Sequence, residues 1–240
     1  MNKGAPDLVL DRLWNDILAD LEMVSDTKVL GLGSGTEGLV RRIKDKHFQV
    51  ETVVEDCFEF LQNSQENSYD AVITAFLLSF VKPDKLFEMT KRVIRPGGKY
   101  VILTTEREGW GDFEGEVWKF LVTHMQYLDL LKAFNLAPPF APRLRQMDKS
   151  LRQNGFINIR IENKLIELPF ADPVAWLKWL DGVGIASNYI RLVREGQEDF
   201  ILDEVIRYSD RNKLTCYGVP IEYGKPFTFR WKILYTTAER

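Results

Sequence analysis

Lys28-Val29-Leu30-Gly31-Leu32-Gly33-Ser34-Gly35-Thr36-Glu37-Gly38 runs a short apolar segment straight into a glycine-rich turn. A buried strand that reverses at once into a helix needs residues without a Cβ, and such a turn presents backbone N–H groups to whatever lies above it. Gly33, Ser34 and Gly35 form the turn in this reading, and Leu39, Val40 and Ile43 are the buried stripe of the helix that follows.

Two later stretches fix the setting. Tyr69-Asp70-Ala71-Val72-Ile73-Thr74 reads as a fully buried strand, and Arg92-Val93-Ile94-Arg95-Pro96-Gly97-Gly98-Lys99-Tyr100-Val101-Ile102-Leu103 as a helix end, a tight turn and another buried strand. Strand, glycine turn, helix and strand in this order predict an α/β fold with a doubly wound, Rossmann-like, mostly parallel sheet. A nucleoside-type cofactor is expected at the end of the first strand. Glycine turns serve dinucleotides and S-adenosylmethionine alike, so the turn alone leaves the ligand open.

The chain has 240 residues, 45% hydrophobic and 12% aromatic, enough for a full core. A formal charge of -3 argues against nucleic acid as the main partner. The only cysteines, Cys57 and Cys216, lie far apart, which indicates neither a disulfide framework nor a zinc site. No signal-peptide pattern opens the chain, and the apolar stretch from Ala71 to Val81 is too short for a bilayer span. The expectation is a soluble, cytoplasmic protein with no membrane partner and no metal.

Leu10, Leu13, Trp14, Ile17, Leu18 and Leu21 recur at helical spacing, so Asp7 to Val24 reads as an amphipathic helix. After strand Lys28 to Leu32 and a helix to about Lys46, Gln49 to Glu55 reads as the next strand, and Asp84 to Ile94 as a helix with Pro83 in its first turn. Three regions result: 1–105, an N-terminal helix and cofactor-binding core; 106–143, a helical lid insertion; 144–240, the remainder of the core with an added helical segment. In the third, a helix from Leu144 to Asn154 capped by Gly155 leads to a strand from Phe156 to Ile161. Asp172-Pro173 has the form of an N-cap and first helical residue. A further helix is expected over Glu198 to Tyr208 and a last strand over Phe229 to Tyr235.

On these motifs the chain resembles the class I S-adenosylmethionine-dependent methyltransferases, in particular the small-molecule branch often labelled type 11. Leu30 to Glu37 lies over the family's acid-x-Gly-x-Gly-x-Gly motif, and the Tyr69 strand and the Pro96-Gly97-Gly98 turn match later motifs. The Trp176-x-x-Trp179 helix is similar to the C-terminal region of natural-product members. There are departures: Gly31 stands where the family has an acid, and Glu37 where it has its third glycine (or Gly38 supplies it, if one residue is inserted). The stretch Val54-Glu55-Asp56-Cys57-Phe58 also comes too soon, which predicts that one strand–helix unit is shortened or absent.

The resemblance implies S-adenosyl-L-methionine as cofactor, held at Gly31, Gly33, Ser34, Gly35, Glu55, Asp56, Cys57, Ala75 and Phe76. Glu55 and Asp56 compete for ribose and adenine; Asp56 with the Cys57 backbone is favoured for adenine and Glu55 for ribose. A carboxylate suits either, because it accepts hydrogen bonds from hydroxyls or from the adenine amino group. The insertion supplies aromatic groups for a dry acceptor pocket, Trp110, Trp118, Tyr127 and Phe134 with Trp176 or Trp179, and His124 as the best-placed base. No residue is assigned as catalytic.

The function expected is methyl transfer to a small, hydrophobic organic acceptor of natural-product type, by a monomer or homodimer. Two rivals remain. One keeps the fold with degenerate or structural cofactor use, as a cyclase or ligand-binding protein. The other, a nicotinamide-dependent reductase, is disfavoured by the Pro-Gly-Gly turn and the lack of a Tyr-x-x-x-Lys pair beyond it.

Overall fold

The computed structural model describes residues 13–15, 17–19, 21, 26–33, 36, 48–54, 56–79, 81–105, 143–182, 206–216 and 218–240. They fall into two compact units. One takes the described residues up to 105 together with 143–164 and 233–240, the other takes 165–182 and those from 206 to 232.

In chain order the elements are β1 (Lys28–Leu32), β2 (Gln49–Val53), α1 (Cys57–Asn63), β3 (Tyr69–Ala75), a single 3-10 turn at Leu77–Ser79, α2 (Pro83–Val93) and β4 (Ile94–Thr105). After them come α3 (Leu144–Gln153), β5 (Ile157–Phe170), α4 (Pro173–Gly182), β6 (Thr215–Cys216), β7 (Val219–Pro220) and β8 (Phe227–Glu239). Residues 13–15, 17–19 and 206–211 are also helical, and Leu13, Trp14, Ile17, Leu18 and Leu21 are buried as the N-terminal spacing required. The helix expected after the glycine turn lies outside the described residues, as do 106–142 of the expected lid.

Six strands form one sheet in the order β2-β1-β3-β4-β8-β5. β2, β1, β3 and β4 run parallel, and β8 is antiparallel to β4. The expected doubly wound, mostly parallel sheet is therefore present, and so is the shortened unit. Residues 56–68 carry the chain from β2 to β3 through α1 alone, with no strand between them. A doubly wound sheet of order 3-2-1-4-5-6 has a further strand outside β2; here, among the described residues, β2 pairs only with β1.

Parallel strands need both faces covered, and most residues of β1 and β3, with Tyr100 to Thr105 of β4, are buried on both. On one face, Leu30, Leu32, Val72, Tyr100 and Ile102 pack with Leu61 of α1, Leu86, Phe87 and Val93 of α2, and Met147 and Leu151 of α3. Tyr100 is the polar centre of this core. Its ring lies 5.9 Å from Phe87 and 5.3 Å from Phe156, and its hydroxyl is 3.0 Å from Thr74 Oγ1.

Asp70 joins the two sequence motifs that flank α2. Its carboxylate accepts the Lys28 N–H at 2.8 Å, starting β1, and pairs with Arg95 Nη1 at 2.6 Å. A Cβ on Gly98 would come within 2.7 Å of the Asp70 carbonyl oxygen. The register of β3 with β4 jumps there, from Tyr69↔Ile94 to Ala71↔Lys99, so Arg95 to Gly98 bulge out of the ladder. Arg240 closes the bulge: Gly97 N donates to its carbonyl at 3.1 Å, and its own N–H donates to Gly98 O at 3.1 Å.

In the unit of residues 165–232, Asp172 caps α4 as its sequence implied, accepting the Ala175 N–H at 2.8 Å. Trp176, expected near an acceptor, is 0% exposed, its ring 5.0 Å from Phe227 and 4.9 Å from Phe229. Trp179 stands edge-on to Trp231 at 6.2 Å and beside Phe170 at 5.5 Å. The aromatic residues at alternate positions of β8 thus form the floor on which α4 rests. Several boundaries differ from expectation. β2 ends at Val53, β5 runs to Phe170, β8 spans Phe227–Glu239, and the helix before β6 extends to residue 211. The short β6–β7 hairpin, Thr215↔Pro220 and Cys216↔Val219, is not signalled by any apolar pattern.

Trp176→Ala is expected to cost about 3–5 kcal/mol of stability, read by urea melts. Retention of full stability would show that the ring is not core. A second expectation concerns alkaline pH. Burial pushes the Cys57 thiol up and the Cys216 thiol up to about 12, against an ordinary 9.0, and raises the phenols of Tyr69 and Tyr100. The folded chain keeps protons that the unfolded chain releases, so stability is full below pH 9.0 and falls as pH rises beyond it. Urea midpoints at pH 8 and pH 10.5 check the sign, and equal midpoints would contradict it.

Candidate functional site

β1 sends its chain to β2 on one side while β3 pairs on the other, so the crevice between β1 and β3 is the topological switch point of the sheet. Gly33 sits at its lip with φ 95°. Its N–H donates to the Val53 carbonyl at 2.9 Å, and its own carbonyl accepts the Thr36 N–H at 3.1 Å and the Thr36 hydroxyl at 2.7 Å. A Cβ on Gly33 would meet the Ala75 carbonyl oxygen at 2.5 Å, inside any allowed contact. The glycine draws the ends of β1, β2 and β3 together, as a residue with a side chain could not.

The departure at Gly31 has a local cause. A Cβ there would lie 3.0 Å from Thr36 Cβ and 3.1 Å from Thr52 Cγ2. Fully buried Thr36 occupies the space that the family's acid would need, and pins the turn through its hydroxyl instead.

Asp56 and Phe76 close the other two strand ends, and both hold positive φ, 50° and 57°. Asp tolerates this region, but for a bulky residue such as Phe76 it is strained, and strain of this kind gathers at binding sites. Phe76 is held there by its N–H bond to Leu103 O at 2.7 Å and is 5% exposed. Asp56 is exposed at the N-cap of α1 yet makes no side-chain cap bond. Cys57 is buried beneath it, with Sγ 3.4 Å from the Val53 carbonyl; desolvation raises its pKa, so the thiol is a packing group rather than a nucleophile.

Of the residues expected to hold a cofactor, Gly31, Gly33, Asp56, Cys57, Ala75 and Phe76 therefore meet at the carboxyl ends of adjacent strands. Ser34, Gly35 and Glu55 lie outside the described residues, as do Trp110, Trp118, His124 and Tyr127. Trp176 is enclosed by Phe227 and Phe229 as described above. Sequence reading did not single out Thr36 and Thr52, whose packing around Gly31 depends on the register Gly31↔Thr52 across β1 and β2. Among the described residues no group of His, Cys, Asp and Glu could hold a metal ion, and no helix is long and apolar enough to cross a membrane.

Residues 30–102 match the family model of a methyltransferase domain. The matched segment runs from β1 to β4 and contains the whole crevice just described. No curated protein matches the chain. Among solved structures it is similar to phosphoethanolamine N-methyltransferase 2 of Haemonchus contortus, determined with phosphomonomethylethanolamine and S-adenosylhomocysteine, at 17% identity and TM-score 0.55. That match covers 95% of this chain and 52% of the nematode one, so the chain spans about half of its length. A SAM-dependent methyltransferase of Archaeoglobus fulgidus aligns over 98% of this chain and 94% of its own, at 11% identity and TM-score 0.51. Mycolic acid cyclopropane synthase, complexed with SAH and CTAB, aligns over 95% and 83% at 13% identity and TM-score 0.52. At these identities the likeness concerns the fold alone.

Gly33→Ala is expected to lower the melting temperature and abolish binding of S-adenosylhomocysteine, because the new methyl must displace the β3 carbonyl. A variant that melts and binds like the parent would remove the turn from the site.

Proposed function

We propose that the methyltransferase domain transfers the methyl group of S-adenosyl-L-methionine to a small, apolar organic acceptor of natural-product type. The observation that carries this reading is the coincidence of the family match with the switch-point crevice at which Gly33 fits only without a Cβ. The residues present suit such a cofactor. Gly31, Gly33, Ser34 and Gly35 are assigned to its amino-acid end, and Ala75 and Phe76 to main-chain contacts beside it. Glu55, Asp56 and Cys57 attend the nucleoside.

Between the two acids, Glu55 is assigned to ribose and Asp56, with the Cys57 backbone, to adenine. Asp56 follows the strand that pairs with β1. Its carboxylate makes no bond to α1 that a ligand would have to break.

The cofactor, when bound, supplies an activated methyl group on a sulfonium. The chain's own work is to align the acceptor and keep water out, since in-line displacement gains most from orientation. With an anionic acceptor, charge is neutralised toward the transition state, and an apolar pocket favours the step. Trp110, Trp118, His124 and Tyr127 in the 106–143 lid are assigned to that pocket. Trp176 acts from its packing on β8, supporting the wall rather than lining it. The enzyme is assigned to the cytoplasm, as a monomer or homodimer that takes neither nucleic acid nor membrane as partner.

Calorimetry with S-adenosylhomocysteine tests the reading: micromolar binding is expected, and Asp56→Ala should weaken it by about 1–3 kcal/mol. Binding of NADH with no binding of either S-adenosyl ligand would overturn it. Tight cofactor binding without methyl transfer to any of a panel of phenols, amines and carboxylic acids would point to structural cofactor use.

A further inference from the structure

Residues 75–77 form a clip around Gly33, and Phe76 sets its shape. The peptide joining Ala75 to Phe76 lies across the end of β3. Its N–H donates to Leu103 O of β4 at 2.7 Å, and its carbonyl oxygen is the atom that a Cβ on Gly33 would meet at 2.5 Å. The same Cβ would lie 3.3 Å from Leu77 Cβ. The residues before and after Phe76 therefore both close on the glycine, and the φ of 57° at Phe76 turns the chain back between them. A right-handed or extended Phe76 would carry Leu77 elsewhere. For a bulky residue the left-handed conformation costs about 1–3 kcal/mol. Burial opposes that cost: the Phe76 side chain is 5% exposed, and Leu78 in the 3-10 turn that follows is 0% exposed.

Resting on the reading of the crevice as an S-adenosylmethionine site, we infer that Phe76 is a positioning residue for the cofactor. It acts through Ala75 and Leu77, whose contacts fix where the Gly33 turn stands, and not through its ring, which is buried. The anchored ring and the bond to Leu103 O hold the clip closed against the backbone strain before a ligand arrives, so binding does not have to order the turn. Two truncations separate strain from anchoring. Alanine at 76 loses the anchor but still has a Cβ that disfavours the left-handed region, so the clip opens. Glycine loses the same anchor and has no such penalty to escape, so the clip stays closed.

Calorimetry with S-adenosylhomocysteine on the full-length chain tests this, at a temperature where melts show each variant folded. Phe76→Ala is expected to weaken binding about tenfold or more, and Phe76→Gly by no more than about threefold. A residue that only fills the core would lower the stability of both variants and leave the affinity of the folded protein unchanged in each. That result, or weaker binding by Phe76→Gly than by Phe76→Ala, would overturn the inference. If neither variant folds, the parent protein decides through amide hydrogen exchange. Saturating S-adenosylhomocysteine is expected to slow exchange at Phe76 about tenfold more than at Ser68, whose N–H bonds to Val93 O just before β3. Equal slowing at the two amides would overturn the inference. In each case, binding by the parent leaves the methyltransferase reading standing, whereas a parent that binds no S-adenosylhomocysteine would overturn both together.

Discussion

The approach of Gly33 to the carbonyl of Ala75 is the constraint on which the rest of the site depends. With a hypothetical Cβ 2.5 Å from that oxygen, the position admits only glycine, and the φ of 95° admits little else. The contact lets β1 and β3 end side by side, and the bond from Gly33 N to Val53 O brings the end of β2 into the same place. Asp56 and Phe76 then follow at the rim. One residue without a side chain thus converts three strand ends into a single crevice.

Support for that crevice comes from polar contacts away from it. Asp70 holds the start of β1 and the bulge before β4 with one carboxylate, and its backbone oxygen is the surface on which Gly98 rests. Half-exposed Arg95 adds little by charge alone. The value of the arrangement is positional, because it fixes the register of β1 against β3 and hence where Gly33 meets Ala75. Tyr100, Thr74 and the rings of Phe87 and Phe156 hold the same strands from the helical face.

What the sequence made legible follows from how each element is buried. β1 and β3 are apolar runs bounded by turn residues, and their ends fall where the pattern changes. β5 and β8 are longer than their apolar runs. The outer residues of β5 alternate with exposed ones, and the last residues of β8 are strand because they pair with β4, as in Tyr100↔Ala238. Asp172 was readable as a cap because the cap is local chemistry. The enclosure of Trp176 was not, since it is set by Phe227 and Phe229 some fifty residues away. The short interval after the glycine turn announced a shortened unit, and pairing shows β2 at the sheet edge among the described strands. Gly31 looked like a defect in the motif until Thr36 and Thr52 were found filling the space.

The account rests on a nucleoside lying across the carboxyl ends of β1 and β2 with the glycine turn beneath its amino-acid end. A crystal structure with S-adenosylhomocysteine bound tests this most directly. The account predicts ligand density against the backbone of Gly33 and within hydrogen-bonding distance of the Asp56 carboxylate. Density elsewhere on the chain, with the Gly33 crevice filled by protein side chains, would contradict it.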